Sequence, residues 1–405
     1  MLYFFVLRSP NNLTHKDEQH RTLNWSEQSL LEARKIKDPF ADNFVAELAR
    51  TKSEKELYLI MQFLLNEYVW LEEDQLDELS RQYLTTASKL PSWADPELIK
   101  KGEDFFALHS FEISMVLMMK ALPATYCCWR GAEVVHATGR MTDHSGNLRP
   151  FTRRLMQTSK FVLNVLSKDG LVNHGVGLRS AVKVRTLHAF IRFFLEGNNW
   201  DAKKYGAPIN QEDYAGTMLS FSVFVVEGLE SLGIKVSKEE KAAYFHVWRV
   251  AAHLVGIEEN LMAKDYEEGA LLGHAILDQQ KGASQSGKEL TQACLEFMQS
   301  LMPLKILRFL PANMMYFLLG SELSEMVGIR KSRNVFVNAA FFMTRMVLLL
   351  VEWLKHNVGF IGRFAIKYNP KILDLIIRKF LQETKNYFTP GIIQSEVKTI
   401  THKRS

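Results

Sequence analysis

Three side chains on one short stretch could do chemistry together. In Gly177–Leu195, GLRSAVKVRTLHAFIRFFL, Arg185 stands three residues before His188 and Arg192 four after it. On a helix these spacings bring all three to one face, beside an apolar stripe of Val184, Leu187, Ile191 and Phe194. Arginine is permanently charged, so an imidazole between two guanidiniums is expected to stay unprotonated. An unprotonated imidazole suits metal ligation. Two arginines suit a dianionic ligand, such as a haem with its two propionates. A histidine on such a helix is also commonly a hydrogen-bonded core residue whose arginine neighbours pair with acids on other helices. Periodicity alone leaves both readings open.

A second cluster precedes it. Arg153–Phe161 reads RRLMQTSKF, with Arg154 and Thr158 one helical turn apart and Gln157 beside them. A guanidinium and a small hydroxyl on an apolar helix could orient a bound oxygen or a propionate; the plain alternative is a helix start with solvated charge. A third, Pro208–Ser222 (PINQEDYAGTMLSFS), opens with Asn210, Gln211 and Asp213, which read as an N-cap and a polar first turn. Thr217 and Ser222 follow along that helix. In the fourth, Phe245–Ile257 (FHVWRVAAHLVGI), Arg249 and His253 are four apart beside His246, and a packed polar network is expected. Glu133, Asp143 and Asp213 are the acidic candidates for a general base, and no spacing separates them.

Helices must position these residues. Apolar residues recur at three- and four-residue spacing almost throughout, and alternating strand patterns are nearly absent. The periodicity predicts helices over Glu27–Ile36, Asp42–Arg50, Ser53–Tyr68, Gln75–Ala87, Glu103–Leu122, Thr152–Leu166, Arg179–Leu195, Asn210–Leu232, Lys238–Val255, Lys288–Met302 and Val335–His356. Asp42, Ser53 and Ser237 read as N-caps. Pro208 and Pro311 precede helical patterns, and Pro96 and Pro123 sit at helix edges. Gly139–Gly146 and Gly170–Gly177 read as turns without a phosphate-binding pattern. Gln279–Ser286 (QQKGASQS) reads as a flexible loop between helices, and residues 1–25 and the tail after Ser395 as surface segments. The fold expected is mainly α, a single large helical domain with a globin-like arrangement of helices. It comprises an N-terminal helical region (1–102), a core (103–329), and C-terminal apolar helices (330–405) that pack on the core or attach to a membrane.

Composition bounds the function. The 405 residues are 47% apolar and 23% charged. That balance gives ample core material and excludes disordered, collagen-like and disulfide-scaffold architectures. Fifty basic against 45 acidic residues leave +5, which argues against a nucleic-acid groove. Cys127, Cys128 and Cys294 cannot make a disulfide framework, and no CxxC or HExxH spacing suggests zinc. The opening MLYFFVLR is too short for a signal-peptide core, so an unexported, cytoplasmic chain is expected, with peripheral membrane association open. Val335–Leu354 (VFVNAAFFMTRMVLLLVEWL) is long enough to span a bilayer but carries Asn338, Arg345 and Glu352. A central arginine costs about 2.5–3.5 kcal/mol on insertion scales. A buried core helix is therefore expected there, with Ile372–Phe380 (ILDLIIRKF) as a second apolar face.

In this order and separation, the four clusters resemble the helical family that contains the latex-clearing rubber oxygenases and the mycophenolic-acid pathway oxygenase. The likeness runs from about Glu103 to Ile329. It is carried by EDFFALHSFEISMVLMMKALPATYCCWRGAEVV, TGR at Thr138–Arg140, RxxxT at Arg154–Thr158 and VRTLHAFIR at Val184–Arg192. NQEDYAGT at Asn210–Thr217, WRVAAHLVGI at Trp248–Ile257 and LPANMMYFLLG at Leu310–Gly320 complete it. The resemblance implies haem b held among the helices and dioxygen as co-substrate in chemistry on an apolar alkene. It implies that His188 is the proximal iron ligand and that Arg154 and Thr158 lie on the distal side. Arg185 and Arg192 carry over as propionate or pocket partners, and Gln157 as a cofactor contact. Several rubber oxygenases have a lysine, able to cap the iron, where this chain has Gln157. A smaller isoprenoid, terpenoid or lipid alkene is therefore expected rather than rubber. The implied reaction is oxidative cleavage of the C=C bond to two carbonyl ends. A non-catalytic haem carrier or gas sensor, and a membrane-peripheral scaffold without a cofactor, are the competing classes.

Overall fold

The computed structural model describes residues 25–66, 77–138 and 148–384. Among them the chain is helical, apart from one isolated antiparallel bridge between Cys128 and Lys281. The N-terminal part holds α1 (Glu27–Ala33), α2 (Pro39–Thr51), α3 (Glu54–Asn66) and α4 (Glu78–Ala87). The central part holds α5 (Pro96–Val116), α6 (Leu122–Cys127), α7 (Trp129–Ala137), α8 (Arg149–Leu166), α9 (Val176–Gly197), α10 (Ala202–Tyr205) and α11 (Gln211–Leu219). It continues through α12 (Val225–Leu232), α13 (Lys238–Val255), α14 (Tyr266–Gln280), α15 (Gln285–Ser300) and α16 (Leu310–Met326). Two long helices, α17 (Val335–Asn357) and α18 (Gly359–Glu383), close the described chain. The expected N-terminal surface run, the turn at Gly139–Gly146 with Arg140 and Asp143, the end of Ser53–Tyr68 and the tail after Ser395 lie outside the described residues.

Local chemistry explains the helix ends. Ser237 accepts from the Glu240 amide at 3.2 Å and Glu240 accepts from the Ser237 amide at 2.8 Å, a reciprocal cap that starts α13. Ser53 and Glu56 do the same for α3. Asn210 caps α11 by accepting from the Asp213 amide at 2.9 Å. Asp42, expected to be a cap, is not one: Asp38 caps α2, Pro39 takes the first helical position, and Asp42 lies one turn inside. Pro123 does not end a helix either. A π-turn at Leu117–Ala121 lets α5 run on into α6, since an added residue in the turn relieves the missing amide and the ring clash. A second π-turn, Ser220–Phe224, joins α11 to α12.

α5 and α13 form the broadest helix contact, flanked by α8, α9 and α18. The axes approach closely at Gly102, where a Cβ would sit 2.5 Å from Val247 Cγ2 and 2.7 Å from the Ala243 carbonyl. Tyr244 and Trp248 of α13 are fully buried beneath this contact. The segment read as a flexible loop is half helix: Gln279 and Gln280 end α14, Gln285 and Ser286 start α15, and only 281–284 link them. The Gly282 amide donates to the Cys127 carbonyl at 2.9 Å, which ties the short link to the body. The largest departure is α17. Instead of a buried core helix, it exposes Val335, Phe336, Met343 and Trp353 by more than half of their surface. Its inward face carries Arg345, Glu352 and Lys355 beside a few apolar residues such as Phe341, so the charged residues face the protein and most of the apolar ones do not.

Candidate active-site cavity

α6, α7, α8, α9, α11 and α14 enclose a cavity of about 300 Å³, at the small end of ligand pockets. Each helix presents a stripe at three- and four-residue spacing. From α8 come Phe151, Arg154, Leu155, Thr158 and Phe161, and from α9 Val184, Leu187, His188 and Ile191. The two candidate stretches, 30 residues apart by their key residues Thr158 and His188, therefore line the same cavity. Gln157 is also on the lining.

Arg185 and Arg192 are not on that lining. Arg185 grips Asp38 through two bonds, Nε to Oδ2 at 2.6 Å and Nη2 to Oδ1 at 2.8 Å. Arg192 Nε donates to Asp42 Oδ1 at 2.7 Å. Each guanidinium that the sequence places beside the imidazole is thus matched by a carboxylate on or before α2, and the pair locks α9 to α2. The premise of a cation-crowded histidine does not hold, because these charges are neutralised locally. His188 is held another way. Its Nδ1 lies 3.0 Å from the Tyr214 hydroxyl, and Arg192 Nη1 donates to that same phenol oxygen at 3.3 Å. Burial raises the Tyr214 pKa, with Arg192 opposing, so the phenol keeps its proton at neutral pH. With Nδ1 engaged by Tyr214, Nε2 is the nitrogen suited to a ligand in the cavity.

Arg154 is a different kind of arginine. It is half-buried, and among the described residues its hydrogen-bond partner is a hydroxyl, Thr138 Oγ1 at 3.2 Å, rather than a carboxylate. Burial pulls its pKa down, with Tyr126 opposing. A guanidinium stays protonated even so. A cation on an apolar wall, with no carboxylate partner among the described residues, favours any anionic or strongly polar oxygen that enters.

Sequence reasoning missed Glu212, which also lines the cavity and is fully buried. Its Oε2 accepts from Arg34 at 2.7 Å and from Gln280 at 2.9 Å. Its Oε1 is buried with no hydrogen-bond partner among the described residues. Burial raises the carboxyl to about 7 against the pull of Arg34, so near neutrality a proton comes and goes, and Oε1 is the oxygen free to carry it. Asp213, the neighbour singled out as a base candidate, pairs with Arg34 at 2.9 Å and with the Asn210 amide at 2.7 Å. Glu133 accepts from Ser286 at 2.7 Å, away from the lining. Asp213 also reaches the lining; what sets Glu212 apart is its full burial and its unpartnered Oε1, which the capping pattern of this stretch hid.

The fourth cluster is the packed network expected. His246 Nε2 accepts from the Asp95 amide at 2.9 Å, and Arg249 lies 4.0 Å above the Trp93 ring. Elsewhere, His109, Glu352 and His356 come close enough to hold a metal ion. The Lys355 ammonium already contacts Glu352 and stands 3.5 Å from His109 Nδ1, so the positive charge there comes from the chain itself.

Residues 112–348 match the family model described as ER-bound oxygenase mpaB/B′/Rubber oxygenase, catalytic domain. A rubber oxygenase from Streptomyces sp. (strain K30) is 26% identical over 264 residues, covering 62% of this chain and 60% of that relative's length. The solved structure of latex clearing protein LCP in the closed state matches with a TM-score of 0.67 at 22% identity. That match covers 86% of this chain and 91% of the other, and at such identity it establishes a shared fold.

Proposed function

The chain belongs to the family of mpaB/B′ and rubber oxygenase catalytic domains, and from that premise we propose that it is a haem b-dependent oxygenase acting on an apolar, isoprenoid-like alkene. One observation carries this reading: His188, Arg154, Thr158 and Gln157, drawn from two separate helices, line a single apolar-walled cavity. The donor set fits a haem. His188 supplies an imidazole oriented by Tyr214, as metal-ligating histidines usually are by a partner on the other ring nitrogen. Arg154 supplies a half-buried positive charge without a carboxylate of its own among the described residues.

Haem, when bound, supplies an iron centre able to activate dioxygen. The protein supplies the rest. The apolar walls of α8, α9 and α14 hold the alkene and exclude water. The Thr158 hydroxyl and the Arg154 guanidinium orient polar oxygen atoms against that apolar surface. Glu212 Oε1 holds or accepts a proton near neutral pH. The reaction balances with one dioxygen per double bond. The O–O bond and the carbon–carbon double bond break, each alkene carbon takes one oxygen atom, and two carbonyl groups form. Both oxygen atoms thus end in products and no external reductant is consumed. The relative's name specifies rubber; with Gln157 in place of a lysine, a shorter isoprenoid is the proposed substrate.

The test is an optical spectrum of the purified, haem-reconstituted protein, followed by oxygen uptake with a panel of isoprenoids and trapping of carbonyl products. A Soret band and one dioxygen consumed per double bond cleaved are expected. A protein that takes up no haem would overturn the reading. A haem protein that consumes no oxygen with any alkene would instead be a carrier or sensor.

A further inference from the structure

The C-terminal hairpin is amphipathic in the inverse sense to a core helix. On α17, Phe341, Arg345, Leu349, Glu352 and Lys355 recur at three- and four-residue spacing on one face. Phe341 packs on Phe317 with ring centroids 5.4 Å apart. Arg345 donates to the Ser231 carbonyl at 3.3 Å. Lys355 reaches Glu112 and the Leu108 carbonyl of α5, each at 3.1 Å. The opposite face carries Phe336, Met343, Met346, Val347, Leu350 and Trp353, all exposed, Phe336 by 85%. α18 repeats the arrangement: Ala365, Leu373 and Ile377 are buried, and Phe360, Phe364 and Leu375 are exposed. Sixteen of the 27 large apolar side chains exposed among the described residues fall within 335–376. A contiguous patch of this kind marks a surface that is covered in use.

Charge selects what covers it. Residues 330–384 contain ten Lys and Arg against three Asp and Glu, a net +7 in a chain whose total is +5. Arg330, Lys331 and Arg333 stand exposed or half-buried before α17, and Lys367, Lys371 and Arg378 stand exposed along α18. A second copy would set this positive rim against itself. An anionic lipid surface attracts it. Length alone would let α17 cross a bilayer, at about 1.5 Å for each of its 23 residues. Crossing would tear Arg345, Glu352 and Lys355 from their partners and place them in hydrocarbon. We propose that the α17–α18 hairpin lies in the plane of an anionic phospholipid bilayer, its outward apolar face in the lipid and its charged inward face still on the core.

Flotation with vesicles tests this on the full chain. Vesicles of phosphatidylcholine with roughly one-third phosphatidylserine should carry the protein upward, and salt should weaken the binding. A variant with Phe336→Gln, Met343→Gln, Val347→Gln, Leu350→Gln and Phe364→Gln keeps every inward contact. It should bind about tenfold less, with an unchanged helical circular dichroism spectrum. Equal flotation of variant and wild type would overturn the proposal. So would a vesicle-free dimer in the wild type that the variant abolishes, which would assign the face to a second copy. Resistance to alkaline carbonate extraction would show a spanning helix and overturn the in-plane geometry.

Discussion

Along α9, the apolar row Val184, Leu187 and Ile191 faces a cavity inside the molecule, and the charged residues Arg185 and Arg192 turn to α2. Along α17, the apolar row Met343, Val347 and Leu350 faces outward, and the charged residues Arg345, Glu352 and Lys355 turn to the core. Both helices mix the same residue types at the same period. In both, the charges that face protein are paired or hydrogen-bonded, so burial is governed by whether a polar group finds a partner. What differs is where the apolar row ends up. On α9 it walls a space for a ligand, and on α17 it is left for an external surface. An apolar stripe therefore reports a need for cover and does not say whether the protein itself provides it.

The largest expected effect breaks the α9 side of this contrast. His188→Ala should remove nearly all bound haem, read as the Soret-to-protein ratio, while helical circular dichroism is retained. Undiminished haem would detach the cavity from the cofactor. Next, Lys355→Ala leaves Glu352 and Glu112 buried without their cation and should cost about 3–5 kcal/mol by denaturant unfolding. On the outward face of the same helix, Met343→Gln should cost less than about 0.5 kcal/mol. Similar costs for the two would erase the assignment of faces on α17. A third change probes the cavity proton. Glu212→Gln should slow turnover about 10²-fold and remove an inflection near pH 7 from the rate profile. The stability sign follows from the same shift. Burial raises the folded carboxyl above its unfolded value, so its contribution is complete below about 4.3 and is lost as pH rises through about 7. The variant's melting temperature should fall less than the wild type's across that window. Parallel curves would show that Glu212 does not titrate there. The smallest effect sharpens the role of Tyr214. Tyr214→Phe frees His188 Nδ1 and should weaken haem retention about tenfold, measured by transfer to apomyoglobin. Unchanged retention would make Tyr214 a packing residue only.

Much of this was legible without coordinates. The helices over Lys238–Val255 and Asn210–Leu232 are where the periodicity puts them, because capping residues and apolar spacing act locally. Arg154, Thr158, Gln157 and His188 were each visible as candidates, and they share a cavity. Three things were not visible. α14 (Tyr266–Gln280) has a weak apolar stripe, and its end was read as a loop because QQKGASQS is polar and glycine-containing; Gln280 is buried there because Glu212 needs a donor. Glu212 was hidden beside Asp213, since both reach the cavity and only their surroundings in the fold tell them apart. Arg185 and Arg192 were assigned to a ligand because their aspartates lie 147 and 150 residues away in sequence.

From residue order alone come most of the helical spans, the relative azimuth of the side chains on each of those spans, and the chemical types available at the cavity. Spacing settles these because hydrogen bonding and capping within a helix involve neighbours four residues apart or fewer. Tertiary packing decided the rest: which face of α9 and α17 turns inward, which arginine meets a carboxylate and which stays without one, and which of two adjacent acids is desolvated. Those outcomes depend on groups that meet only after the chain has folded back on itself. The Arg34–Glu212 bond, for example, bridges 178 residues of sequence.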